Sequence, residues 1–174
     1  MLAANRVAPA IPSTQRSARE TKLLVQRDDL FVKIEVNRVI RGTVHPTQMM
    51  SLIPAASDAL MADLELPLLS PEEIYGGKLV AAMDRQHPRD LFDVMELFAH
   101  GGVTPEIRRG FLVYLASHNR TLHEVLFPTP KDIRLAYEGS FAGMTMEPVP
   151  IGALLETREN LFRELPAALD PNER

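Results

Sequence analysis

The chain contains no cysteine, which excludes disulfide staples and thiolate-ligated zinc without fixing a redox compartment. It also lacks a surplus of positive charge, since 19 Lys and Arg stand against 23 Asp and Glu, for a formal net charge of -4. A protein that binds nucleic acid over its whole surface is usually basic, so any such role here needs a local patch. No apolar run approaches the roughly 20 residues of a membrane-spanning helix. The opening stretch MLAANRVAPAIPSTQRSARE lacks the continuous apolar core of a signal peptide. The expectation is a soluble cytoplasmic protein with no membrane partner. There is no internal repeat and no low-complexity tract. Hydrophobic residues make up 45% and charged residues 24% of the 174 positions, a balance that argues for a folded chain and against disorder. That length suffices for one domain with a core, or for one domain plus a helical extension.

What is present centres on Ser70–Gly102, SPEEIYGGKLVAAMDRQHPRDLFDVMELFAHGG. Ser70, Pro71 and Glu73 predict a helix start: the Ser hydroxyl can accept an orphan amide hydrogen, and Glu73 can reach back to the cap. At helical spacing Ile74, Lys78, Ala81, Ala82 and Arg85 share a stripe, so two cations are expected among small apolar residues and away from the solvated face. His87-Pro88 ends this helix, because proline disfavours the helical region for the residue before it. A second helix follows, with Arg89 and Asp90 in its first turn, an apolar face of Leu91, Val94, Met95 and Phe98, and Gly101-Gly102 as its stop. Lys78 and Arg85 on one helix therefore oppose Asp90 and Asp93 on the next. Spacing leaves two readings open. The four charges are a structural network fastening a helical hairpin, or the cations line a cleft and hold an anion such as a triphosphate.

Elsewhere the pattern predicts an irregular arm over 1–20, a sheet region over 21–69 and a helical region over 70–174. Arg16, Arg19, Lys22 and Arg27 make the first end locally basic. KLLVQ (22–26) and LFVKIEV (30–36) alternate as two strands of a hairpin, with Val32, Ile34 and Val36 on one face and Lys33, Glu35 and Asn37 on the other. Residues 39–44 continue extended, 47–62 are partly helical around Pro54, and DLELPLL (63–69) reads as a short edge strand because Pro67 cannot donate to a ladder. Pro105–Ser117, capped by Thr104, and Ile151–Leu165 are expected amphipathic helices. Lys131–Tyr137 is a weaker one, 121–126 a turn, 140–150 a loop against the core and the tail frayed. His118 and His123 are not spaced as the zinc ligands of a protease and read as surface histidines. Gly76-Gly77 lacks the Lys-Thr/Ser of a P-loop and reads as close helix packing or a kink. No nucleophile-elbow sequence accompanies the serines.

The run KLVAAMDRQHPRDLFD, Lys78 through Asp93, resembles the signature of the AbiEii/AbiGii-type nucleotidyltransferase toxins, relatives of the polymerase β-like transferases. VKIEVN (32–37) resembles the strand that carries a third carboxylate in that family. The resemblance covers about residues 20–165. It implies an α+β fold, a small mixed or antiparallel sheet followed by a mainly helical C-terminal half. It also implies transfer of a nucleoside monophosphate from an NTP to an acceptor hydroxyl, on tRNA or another acceptor, with Mg²⁺ as cofactor. It implies Lys33, Lys78, Arg85 and Arg89 as nucleotide-binding residues, Glu35 as metal or base support, and Asp90 and Asp93 as carboxylates orienting the cations. An antitoxin partner and a homo-oligomer are further expectations. Such transferases also need a Gly-Ser or Gly-Gly turn followed by an Asp-x-Asp pair, because the metal must bridge the triphosphate and the attacking hydroxyl. Asp63-Leu64-Glu65 is the nearest acidic pair, and no such turn precedes it at the required distance. The expectation is a truncated member, inactive alone. The alternative is a non-catalytic interaction module whose charge cluster is structural.

Overall fold

The computed structural model describes residues 22–27, 30–35 and 42–169. The chain divides after Arg41 into two units. The first contains strands β1 (Lys22–Arg27) and β2 (Leu30–Glu35), paired antiparallel. Leu23 faces Ile34, Val25 faces Val32, and Leu24 faces Lys33. The hairpin is as the sequence predicts. The basic arm, the turn at 28–29 and residues 36–41 lie outside the described residues.

The second unit begins with β3 (Gln48–Ser51), α1 (Pro54–Leu60) and β4 (Glu65–Leu68). The strands β3 and β4 form their own antiparallel pair, with Met50 opposite Leu66 and Met49 opposite Pro67. The fold is α+β as expected, and both described sheets are antiparallel and two-stranded. All eight strand residues of the second pair are exposed, and α1 buries none of its residues.

The core lies in the helices. These are α2 (Pro71–Arg85), α3 (Pro88–Ala99), α4 (Pro105–Ala116), α5 (Leu122–Leu126), α6 (Arg134–Ser140) and α7 (Ile151–Ala168). Leu79, Ala82, Met83, Leu91, Phe111, Leu154 and Leu161 have no exposed surface. Burying a side chain of Leu, Met or Phe size contributes about 1.5–3 kcal/mol each. The proline that opens α2, α3 and α4 has its φ preset for the first turn. Ser70 accepts the Glu73 amide at 3.2 Å, and Thr104 accepts that of Ile107 at 3.3 Å.

The packing of α2 on α4 depends on glycine. A Cβ at Gly76 would lie 2.6 Å from both the Gly110 carbonyl carbon and the Phe111 nitrogen, and one at Gly77 would lie 3.0 Å from the Tyr114 ring. The pair is therefore a close-packing device and not a phosphate loop. The α3 core face differs slightly from expectation: Pro88, Leu91, Val94 and Leu97 are buried, whereas Met95 and Phe98 pack at its margin. Helix α7 runs three residues past the expected Leu165, through Pro166. Among the described residues no helix is long and apolar enough to cross a membrane.

Two buried polar side chains hold the frame of α2. Glu73, fully buried, does not reach back to the cap as the Ser-x-x-Glu pattern suggests. Its Oε2 accepts the amides of Val44 (2.9 Å) and His45 (3.1 Å), and its Oε1 accepts the Tyr114 hydroxyl at 3.2 Å. Tertiary donors outcompete the local one because this carboxylate is carried inward against α4. Burial first, then the Glu73 charge and its hydrogen bond, raises the Tyr114 phenol above its ordinary value. At the other end Gln86 ends α2 in the left-handed region (φ 54°). Its amide nitrogen donates to the Thr129 carbonyl at 3.0 Å and its oxygen accepts the Lys131 amide at 2.9 Å. Those bonds secure a backbone conformation that a non-glycine residue rarely adopts.

Candidate functional site

The turn from α2 into α3 sets the site. Gln86 reverses the chain, His87 caps α3, and Pro88 starts it. Arg85 on the last turn of α2 thereby meets Asp90 on the first turn of α3. Arg85 Nη2 lies 2.7 Å from Asp90 Oδ1. About two helical turns earlier on α2 and one turn later on α3, Lys78 Nζ is paired with Asp93 Oδ2. The expected opposition of two cations to two carboxylates takes the form of these two ion pairs.

The expected burial of the cations does not hold. Lys78 is half-buried, and the Arg85 side chain is 62% exposed against 13% for Asp90. The buried face of α2 is Glu73, Gly76, Leu79, Val80, Ala82 and Met83, so the stripe through 74, 78, 81 and 85 lies along its border, next to α3. A long cationic side chain there keeps its stem on apolar surface and its head in water.

Arg85, His87, Arg89, Asp90 and Asp93 line an open cleft of about 450 Å³. Lys78 is behind this lining, bound to Asp93. Arg89 is exposed, and among the described residues its guanidinium has no acidic partner. Asp90 Oδ2 is buried with no hydrogen-bond partner among them. His87 was read from sequence only as a helix stop, yet its ring is built into the site. Nδ1 accepts the Arg89 amide at 3.2 Å, and Nε2 lies 3.2 Å from Ser140 Oγ. The Ser140 hydroxyl donates to the Ala136 carbonyl at 2.7 Å. Because Nδ1 is an acceptor, the proton of the neutral ring belongs on Nε2, which donates to Ser140. The signal for His87 was the His-Pro dipeptide at a helix start. Nothing local signals Ser140, which arrives from α6.

Lys33 is exposed on β2. The Glu35 side chain lies outside the described residues, so its predicted role as metal ligand and catalytic carboxylate rests on the sequence. Among the described residues no three His, Asp or Glu side chains converge as metal ligands. Asp93 is committed to Lys78, and Asp90 offers one free oxygen. This donor set does not fit magnesium.

A separate charged cluster joins the end of α2 to the loop after α4. Asp84 accepts from Arg120, lies 3.5 Å from His118 Nε2, and offers its backbone carbonyl to Lys131 Nζ at 2.7 Å. The hydrogen bond to Asp84, then that to Glu124, raises the Arg120 guanidinium above its ordinary value. His118 is half-buried here, a correction to its reading as a surface residue, whereas His123 is exposed beside Phe127.

A family model described as "Nucleotidyl transferase AbiEii toxin, Type IV TA system" matches residues 2–170. The chain belongs to the AbiEii family. No curated protein and no solved structure matches it. AbiEii membership places the chain among nucleotidyltransferase toxins of toxin–antitoxin systems, which implies an antitoxin counterpart. The Lys78–Asp93 segment that carries the resemblance is the one that folds into the α2–α3 turn and its two ion pairs.

Proposed function

We propose that the α2–α3 cleft is the triphosphate-facing part of a nucleotidyl-transfer site, and that this chain alone does not complete the reaction. The observation that carries the reading is the cleft itself, where Arg89, with no acidic partner among the described residues, stands beside Arg85, which Asp90 holds in place. Guanidinium groups suit phosphate because their planar donors match its oxygens. An aspartate that fixes a cation in advance lowers the ordering cost of binding. Asp90 and Asp93 act in this reading as positioning residues for Arg85 and Lys78. Lys33 and Glu35 belong to the other unit, and the roles proposed for them, nucleotide binding for Lys33 and Mg²⁺ support for Glu35, follow from the family resemblance alone. The reaction class is transfer of a nucleoside monophosphate from an NTP to a hydroxyl of tRNA or another acceptor. The sequence has no Gly-Ser turn followed by Asp-x-Asp, so the charge stabilisation that a bridging metal gives is missing. That term is often worth several kcal/mol.

The test is an assay with each labelled NTP, Mg²⁺ and bulk tRNA. The expected result is saturable retention of NTP, competed by inorganic triphosphate, with no labelled acceptor. Labelled tRNA formed by the purified chain would overturn its proposed inactivity. Absence of retention for all four NTPs would overturn the cleft's role.

A second reading has its own support. Each α2 cation is already neutralised by an α3 carboxylate, as a purely structural fastening of an interaction module requires. In that case Arg89→Ala changes neither NTP retention nor stability.

A further inference from the structure

Helix α6 ends against the His87 ring of the cleft. Its last residue, Ser140, is exposed, and the next, Phe141, is buried. The Phe141 ring stands 5.7 Å from Phe92 of α3 and 5.7 Å from Tyr137 of α6. The Tyr137 hydroxyl in turn donates to the Val149 carbonyl at 2.8 Å. Ser140 is therefore a surface hydroxyl on an anchored backbone. His87 is anchored from its own side, because it follows Gln86, whose side chain is tied to Thr129 and Lys131.

Both nitrogens of the ring between these anchors are engaged. Nδ1 accepts the Arg89 amide and Nε2 donates to Ser140 Oγ, each at 3.2 Å. The hydroxyl is free to accept because its own hydrogen goes to the Ala136 carbonyl at 2.7 Å. The result is a row with one direction, from Arg89 N–H through His87 and Ser140 to Ala136. Hydrogen bonds in such a row polarise one another. Capping α3 requires only the Nδ1 acceptor, a task that a shorter Asn, Asp or Ser performs as well. The imidazole adds reach, and that reach joins the start of α3 to the end of α6. The first turn of α3 carries Arg89 and also Asp90, which holds Arg85.

We propose that Ser140 and His87 are positioning residues for the polyphosphate of a nucleotide. Their row sets the first turn of α3, so that the Arg85 and Arg89 guanidinium groups converge on one anion. The inference rests on the reading of the α2–α3 cleft as a triphosphate site. Planar donor forks reward exact placement more than a point charge does, and donors set in advance bind with a smaller ordering cost. Ser140 acts through His87, and His87 through the Arg89 backbone.

His87→Asn separates the two tasks of the ring, since Asn keeps an acceptor for the Arg89 amide and is too short to meet Ser140. The probe is inorganic triphosphate, titrated calorimetrically into the full chain. His87→Asn and Ser140→Ala are each expected to weaken binding about threefold to tenfold, the range for one lost hydrogen bond. The double variant is expected to be no weaker than either single one, because both changes break the same row. Ser140→Thr keeps the hydroxyl and is expected to bind as the unmodified chain does. Proton–nitrogen correlation spectra, with the His87 signals assigned by their loss in His87→Asn, are expected to show its hydrogen on Nε2 without any ligand present. Triphosphate binding that Ser140→Ala leaves unchanged, or a loss that Ser140→Thr does not restore, overturns the positioning role while the cleft reading stands. A His87 ring protonated on Nδ1 also overturns the row alone. No binding by the unmodified chain overturns the cleft reading and this inference with it.

Discussion

The helices α2–α7 and the β3–α1–β4 ribbon are adjacent in sequence and opposite in construction. The helices enclose a dry core in which Phe111, Leu154 and Leu161 have no exposed surface, whereas no residue of β3, α1 or β4 is buried. Both regions are rich in Leu and Met. Apolar content alone therefore does not make a core, and what differs is whether the apolar residues return to a common side. In α3 and α7 they recur at helical spacing and face neighbouring helices. In β3 and β4 they point to both faces of a two-stranded sheet that has nothing packed on it among the described residues. Rigidity and the charged cleft belong to the first region, and unsatisfied surface belongs to the second.

That contrast can be broken by measurement. The largest expected effect is at the core: Leu154→Ala should lower unfolding free energy by about 3 kcal/mol, read by urea denaturation. In dilute solution Leu66→Ala should cost under about 0.5 kcal/mol. Equal costs at the two positions would erase the distinction. Next is Gly76→Ala, whose methyl group would fall 2.6 Å from α4 backbone. Overpacking against backbone should cost about 2 kcal/mol, although Ala is the better helix former, and a gain in melting temperature would refute the tight α2–α4 crossing.

Tyr114→Phe comes third, at about 1.5 kcal/mol for one hydrogen bond to a carboxylate. It carries a pH signature. Burial raises the folded phenol above its ordinary value of 10.0, with the Glu73 charge adding to the effect. The neutral form is thus favoured on folding, and its stabilisation is complete below the unfolded pKa and is lost as pH rises through the folded one. The variant should therefore show a shallower alkaline loss of stability than the unmodified chain. The smallest effect belongs to Lys78→Met, about 0.5 kcal/mol or less, because the ion pair with Asp93 is half-exposed.

The helical region was legible because its signals are local. Pro at the first position, Ser or Thr at the cap and apolar residues at helical spacing gave α2, α3, α4 and α7 nearly to their ends, and the opposition of Lys78 and Arg85 to Asp90 and Asp93 followed from helix geometry. What the sequence did not reveal was decided by partners distant in the chain. Glu73 looked like half of a capping box, but Val44, His45 and Tyr114 claim it. Ser140 reaches His87 from another helix. Arg85 lay on a wheel stripe with Ala82, yet a border position on α2 leaves it in water. The ribbon was read as a partly helical stretch and one edge strand, since its alternation is too short to outvote Pro54 and the clustered Met and Ala.

The account rests most on the cleft beside Arg85 and Arg89 holding the phosphates of a nucleotide. Calorimetric titration of NTP into the full chain, its Arg85→Gln/Arg89→Gln double variant and an Arg163→Gln control tests this directly, Arg163 being exposed on α7. The account predicts binding by the unmodified chain and the control, and at least tenfold weaker binding by the double variant with an unchanged melting temperature. Equal affinity in all three, or no heat of binding in any, would contradict it.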